Sequence, residues 1–197
     1  MTGPRGWYSR EYLPHFDAGD IPQSVCFHLI DSIPQAVRDG WMEALQFLPK
    51  DEQLQQRRRL AESYLDRGEG PAWLSNPIIA ELVQNAFLFF DGQRYTLHAW
   101  VIMPNHAHVL FTPHAEESML KILSSWKSYT SLRANPHLER TGHFWYPDFY
   151  DRYIRNETHY QNVVRYIEMN PVKAGLCERP QDWPWSSASY RQQSPTP

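Results

Sequence analysis

The sequence predicts an α+β domain in which an antiparallel sheet carries helices on one face. Three observations lead there. Apolar residues recur at three- and four-residue spacing along several segments. Between these lie short runs rich in β-branched and aromatic residues, bounded by Gly, Pro, Asn and Asp. Two such runs, Tyr95–Met103 and His106–Thr112, are separated only by Pro104-Asn105, which makes them an antiparallel hairpin. The order is strand, helices, strand, strand, helix, strand, helix. It matches a ferredoxin-like βαββαβ core. Residues 35–92 read as a helical insertion in the first crossover and 177–197 as a C-terminal tail, within one domain of 197 residues.

Each element has a local reason. Val25–Ile30 follows the turn signals Gly19-Asp20 and Pro22 and reads as a strand. Val37, Trp41, Leu45 and Leu48 mark a helix from Gln35 that Pro49 ends. Asp51 is a suitable N-cap for a second helix reaching Arg67, stopped by Gly68 and Gly70. Asn76-Pro77 opens a third helix to Phe90, closed by Asp91-Gly92. After the hairpin, Met119, Leu123, Trp126 and Thr130 share one face of a helix over Glu116–Arg133. Gly142–Tyr153 is aromatic and irregular, with a short strand at Asp148–Tyr153. Asn156 caps a last helix, Glu157–Met169, which Pro171 ends. The tail, with Pro180, Pro184, Pro195 and Pro197, is expected to wrap the domain.

Composition narrows the function classes. Hydrophobic residues at 42% and aromatics at 14% suffice for a core and exclude wholesale disorder. A net charge of -3 excludes a protein that holds nucleic acid by bulk charge. Basic residues nonetheless outnumber acidic ones after position 119, so an anionic partner is expected there. Cys26 and Cys177 are too few for a disulfide framework or a thiolate zinc site. No stretch is apolar enough for a signal peptide or a membrane span, so a soluble cytoplasmic protein is expected.

Two constellations carry chemistry. On a strand, His106 and His108 project to the same face, with Ala107 turned away. Neutral imidazoles are ordinary ligands of divalent metals. On the last helix, His159, Asn162, Tyr166 and Asn170 line one stripe. Tyr160, Val163, Val164 and Ile167 form the neighbouring apolar stripe, which must face the core. Taken alone, Tyr166 also reads as amphipathic packing and Asn170 as a helix stop before Pro171. Taken together, the constellations suggest phosphodiester chemistry. A phenol is a poor nucleophile at neutral pH but attacks a phosphate that a metal polarises. Two imidazoles and an amide oxygen leave coordination positions open and add no negative charge, which suits Mg²⁺ or Mn²⁺.

His106-Ala107-His108 on a strand, with Tyr166-Ile167-Glu168-Met169-Asn170 on a later helix, resembles the HUH single-strand nucleases. Within them it resembles the REP-associated tyrosine transposases. Leu13–Asp17, Leu97–His108, Tyr150–Arg155 and Tyr166–Leu176 extend the likeness over most of the chain. The resemblance implies that His106 and His108 are metal ligands, Asn170 is the third, and Tyr166 is the nucleophile. It implies a 5′-phosphotyrosine link with a free 3′-hydroxyl, formed on single-stranded DNA at REP-like palindromic hairpins. The departure is Ala107, where the family carries a bulky hydrophobe; a packing effect is expected. Lys121, Lys127, Arg152 and Arg155 are candidate phosphate contacts. Trp145, Tyr146, Phe149 and Tyr150 either stack unpaired bases or seal a small core. The competing class is a domesticated module that binds palindromic DNA without cutting it. A zinc hydrolase is a weaker third, since no Glu-x-x-His accompanies the pair.

Overall fold

The computed structural model describes residues 6–9, 14–17 and 19–193. Leu13 of the Leu13–Asp17 motif and Pro195 and Pro197 of the tail lie outside them. In chain order the elements are β1 (Gly6–Ser9), β2 (Pro14–Asp17), β3 (Gln23–His28), α1 (Gln35–Leu45), α2 (Lys50–Leu65), α3 (Pro77–Leu88), β4 (Tyr95–Ile102), β5 (His106–Pro113), α4 (Met119–His137), β6 (Tyr150–Tyr153), α5 (Glu157–Lys173) and α6 (Ser187–Gln193). No helix of the described residues is long and apolar enough to cross a membrane.

β3 to β6 form one antiparallel sheet in the order β4-β5-β3-β6, and β1 and β2 pair separately. That order is the one the βαββαβ plan requires. The register opposes Cys26 to His108 across β3 and β5, and Cys26 to Tyr150 across β3 and β6. The α+β class and the antiparallel sheet are as expected.

The helices, however, cover both faces of the sheet. Val25 and Phe27 of β3, Val109 and Phe111 of β5 and Ile102 of β4 pack against Val83 and Phe87 of α3 and Ile122 and Trp126 of α4. On the opposite face, Ala99, Val101 and Leu110 meet Val163 and Ile167 of α5. Beside them Cys26 meets Ile33 and Ala61 and Leu65 of α2. The reason lies in β5, where all but one of the residues are buried. Ala107, Val109 and Phe111 form an apolar face, and the opposite face carries Leu110 with the buried histidine pair, so both faces need cover.

Helix ends follow local chemistry, with two corrections. Asn76 caps α3 by accepting the Ile78 N–H at 3.0 Å. Asn156 caps α5 by accepting the His159 N–H at 2.9 Å. Asp51 is not the cap of α2; Pro49 holds that position, and Asp51 and Glu52 sit in the first turn, where they meet the positive end of the helix dipole. Pro171 does not end α5, which continues to Lys173. A proline this near the end removes only one ladder bond. The helix stops where Gly175 turns left-handed at φ 71°. There the Gly175 N–H donates to the Val172 carbonyl at 3.0 Å and the Leu176 N–H to the Pro171 carbonyl at 2.9 Å. Asn170 is therefore fully helical and buried, not a stop residue.

The tail covers the free edge of β4. The Ile102 N–H donates to the Trp185 carbonyl at 2.9 Å. The Trp183 indole N–H donates to the Ile102 carbonyl, also at 2.9 Å. This pairing occupies the end of that edge, around Val101 and Ile102. The loop after α2 folds back on the β3–α1 loop so tightly that a Cβ on Gly70 would stand 3.2 Å from the Ser32 Cα.

Candidate active site

β5 enters the sheet directly after the Pro104-Asn105 turn, and its first residues are the histidine pair. The rings of His106 and His108 lie 4.9 Å apart, nearly perpendicular. Both are buried, at 0% and 2% exposure. Asn105 sets the tautomer of His106. Its amide nitrogen donates to the carbonyls of Leu65 at 3.1 Å and Glu69 at 3.2 Å. Its oxygen is left to accept from His106 Nδ1 at 2.7 Å. The Nε2 lone pair of His106 is thus turned the other way.

That nitrogen meets a residue the sequence reading missed. Asp66, the C-cap of α2, places Oδ1 3.6 Å from His106 Nε2. One donor atom each from Asp66, His106 and His108 lies within 4.8 Å of the others. Asn170 stands beside Asp66 and Tyr166, close enough to lower the pKa of each. His106 Nε2, His108 Nε2, Asp66 Oδ1 and both amide atoms of Asn170 are buried and lack a hydrogen-bond partner of normal geometry. Each such atom costs about 1–3 kcal/mol. Their convergence fits a divalent cation, for which imidazole nitrogen, carboxylate and amide oxygen are suitable donors.

The protonation states suit ligands. Burial holds His106 well below the usual imidazole range, with His108 and His28 adding to the effect. Burial and the Arg58 charge push His108 down to about 3. Burial and the Glu62 charge raise Asp66 to about 6, against the pull of Lys173 and Asn170. Both imidazoles are neutral at pH 7.

α5 brings Tyr166 to the same place. Its ring lies 5.4 Å from that of His108 at 84°, and the Lys173 ammonium stands 4.8 Å from its centre. Burial, then the charges of Glu62 and Asp66, push the phenol well above its ordinary value, so it is protonated at neutral pH. Tyr160 turns away toward His98, 5.4 Å between rings, and packs against the apolar cluster under α5. Tyr166, His108, Arg58 and Glu62 line a cleft of about 360 Å³.

The cleft opens into a groove of about 590 Å³, lined by Arg58 and Arg59 from α2 and by Arg152 and Arg155. Two of the expected phosphate contacts are therefore here, and two are not. Lys121 and Lys127 belong to α4, which packs on the opposite face. Lys121 is exposed to solvent there. The Lys127 ammonium donates to the carbonyls of Tyr146 at 2.8 Å, Pro147 at 3.2 Å and Asp148 at 3.3 Å, holding the loop before β6. Among the aromatics, Trp145 and Phe149 are core residues. Tyr146 stacks on His28 at 4.8 Å, and Tyr150 lines the groove. The run Arg57-Arg58-Arg59 was a visible signal for the second basic wall. Asp66 had none, since it reads as an ordinary polar helix end.

A buried ion cluster braces the groove. His15 Nδ1 meets Asp151 at 2.5 Å and Nε2 meets Asp148 at 2.9 Å. Burial alone would lower the His15 pKa, but the two carboxylates outweigh it and push it up to about 9. Two residues on, Asp17 accepts the Ser118 hydroxyl at 2.7 Å and the Met119 N–H at 3.1 Å, which caps α4.

Comparison with known proteins agrees with the resemblance read from the motifs. Residues 74–170 match the model of the family described as Transposase IS200 like. The REP-associated tyrosine transposase of Escherichia coli is 32% identical over 54% of this chain and 63% of that protein. A relative from Haemophilus influenzae is 28% identical over 44% of this chain and 54% of that protein. The chain thus spans less than two thirds of the length of the curated relatives that it matches. A solved structure of a REP-associated tyrosine transposase bound to a REP hairpin superposes with a TM-score of 0.63, covering 96% of this chain and 89% of that one. At 18% identity this likeness is one of fold.

Proposed function

We propose, from the match of residues 74–170 to the family described as Transposase IS200 like, that this chain is a divalent-metal-dependent endonuclease and strand transferase of single-stranded DNA. Its substrate is a palindromic, REP-like hairpin with single-stranded flanks, met in the cytoplasm. The observation that carries this reading is the position of Tyr166, one ring contact from His108 and one helical turn before Asn170.

His106, His108 and Asn170, with Asp66, would hold Mg²⁺ or Mn²⁺. When bound, such an ion polarises the scissile phosphate and offsets its charge. The protein supplies the nucleophile and positions it. Tyr166 gives up its phenolic proton to solvent water as its oxygen attacks phosphorus. The bond from phosphorus to the 3′-oxygen breaks, and that oxygen leaves as a 3′-hydroxyl after taking a proton. The 5′-phosphate stays on Tyr166. Attack by another 3′-hydroxyl on this link reverses the step and joins strands. Arg152 and Arg155 contact backbone phosphates.

The test is incubation with a labelled hairpin bearing single-stranded flanks, with Mn²⁺ or Mg²⁺, followed by denaturing electrophoresis. A covalent protein–DNA band is expected with the wild type and none with Tyr166→Phe, which keeps the ring and loses the attacking oxygen. A band with Tyr166→Phe, or cleavage in the presence of a chelator, overturns the assignment. Tight hairpin binding with no band under any metal would make the protein a DNA-binding module.

A further inference from the structure

The groove beside the cleft is basic on both walls. Arg58 and Arg59 come from α2, Arg152 from β6 and Arg155 from the residues after it. Two acids share the groove. Asp151 is already engaged, by His15 at 2.5 Å and by the Phe16 N–H at 3.1 Å. Asp51 sits in the first turn of α2, two helical turns from Arg58. The Nε atoms of Arg58 and Arg152 are buried and have no hydrogen-bond partner, and Arg58 meets Glu62 only at 3.5 Å. The guanidinium groups also repel: burial, then the Arg58 charge, lower the pKa of Arg152. Glu62 of the adjoining cleft faces Arg58, Arg59 and Arg152 and offsets part of this repulsion, and one carboxylate among three guanidinium groups leaves a net positive charge that suits a further anion.

The groove also carries ring surface. Phe16 and Tyr153 lie 5.0 Å apart, tilted at 55°. The Arg155 guanidinium stands 5.6 Å from the centre of Tyr153. Alternating cations and rings suit unpaired nucleotides, whose bases are free to stack, better than a duplex, whose bases are not. Arg58, Arg59 and Arg152 line the groove and the Tyr166 cleft alike, so one path joins them.

We propose that α2 and β6 form a clamp for the single-stranded flank that enters the cleft. Arg58, Arg59 and Arg152 grip the phosphates nearest Tyr166, Arg155 holds one further out, and the Phe16–Tyr153 pair takes a base. This rests on the single-strand reading above and deepens it. α2 lies outside residues 74–170, so the second wall of the clamp is absent from the matched segment.

The experiment is fluorescence anisotropy of the full chain in EDTA, where binding is read without cleavage. The probes are a hairpin with a single-stranded flank, the same hairpin blunt-ended, and a thymidine decamer. The double variant Arg58→Ala/Arg59→Ala is expected to weaken the flanked hairpin and the decamer at least about tenfold. It should also lower the salt slope by roughly 0.7 per arginine removed. The blunt hairpin should bind as before. Arg58→Lys/Arg59→Lys should keep the salt slope, which separates lost charge from lost fold. Unchanged affinity for the flanked probe, or equal loss on flanked and blunt probes, overturns the clamp. Absence of a covalent band in the cleavage assay would sink the nucleophile assignment and leave these measurements standing.

Discussion

On the face of the sheet covered by α3 and α4, the buried indoles and the Tyr95 phenol have partners, and the exception among the described residues is the Gln23 amide at the start of β3. The Trp126 indole N–H donates to the Tyr95 hydroxyl at 3.0 Å, which itself donates to the Phe87 carbonyl at 2.8 Å. The Trp145 indole N–H donates to Thr130 at 2.8 Å. Around them Tyr95, Phe111 and Trp126 pack edge to face, with centroids 5.1 to 5.8 Å apart. The face covered by α5 and α2 is different. It buries polar atoms of two imidazoles, a carboxylate and an amide that have no hydrogen-bond partner. One face gains stability from satisfied packing. The other gives some up, because polar atoms are buried there without partners, as the proposed metal site requires.

This contrast predicts opposite outcomes for substitutions on the two faces. The largest effect is expected from His108→Leu, which fills a similar volume without the nitrogen. Cleavage and Mn²⁺ binding should both disappear, the latter read by titration calorimetry. In chelator its melting temperature should equal or exceed the wild type, because a buried group without a partner has been removed. A large loss of stability would mean that His108 is structural.

Trp126→Ala on the other face should cost about 3–5 kcal/mol in urea unfolding, since a buried ring and a satisfied indole are both lost. Metal affinity per folded molecule should not change. A loss below about 1 kcal/mol would break the assignment of this face as the main source of stability.

The His15 cluster refines the comparison, since it is buried and polar yet paired. Its folded pKa of about 9 exceeds the ordinary 6.5. The stabilisation it supplies is full below pH 6.5 and is lost as pH rises through about 9. Wild-type stability should therefore fall across that window, and His15→Gln should flatten the fall while costing about 3–5 kcal/mol at pH 6. An identical alkaline slope in both proteins would place the titrating group elsewhere. The smallest effect is expected from Asn76→Ala, which removes an exposed helix cap and should cost about 1 kcal/mol with no change in cleavage. A change in cleavage would couple α3 to the site.

The amino-acid sequence by itself determined the elements and two half-sites. The period of two on β5 puts His106 and His108 side by side, and the helical period of α5 puts Tyr166 over Asn170. These relations are properties of a few consecutive residues, so any chain that forms the element must display them. The tertiary structure decided what the half-sites meet. Asp66 joins the histidines only because α2 docks on Cys26 and Ile33. Asn105 fixes the His106 tautomer through the Leu65 carbonyl, 40 residues away. Lys127, read as a phosphate contact, is used by loop carbonyls on the far face. The second helical layer was likewise decided by the tertiary structure, since a strand that carries two histidines on one face does not by its sequence call for a helix there. Contacts of this kind depend on how separate elements pack, where burial and desolvation of the whole domain outweigh the local pattern.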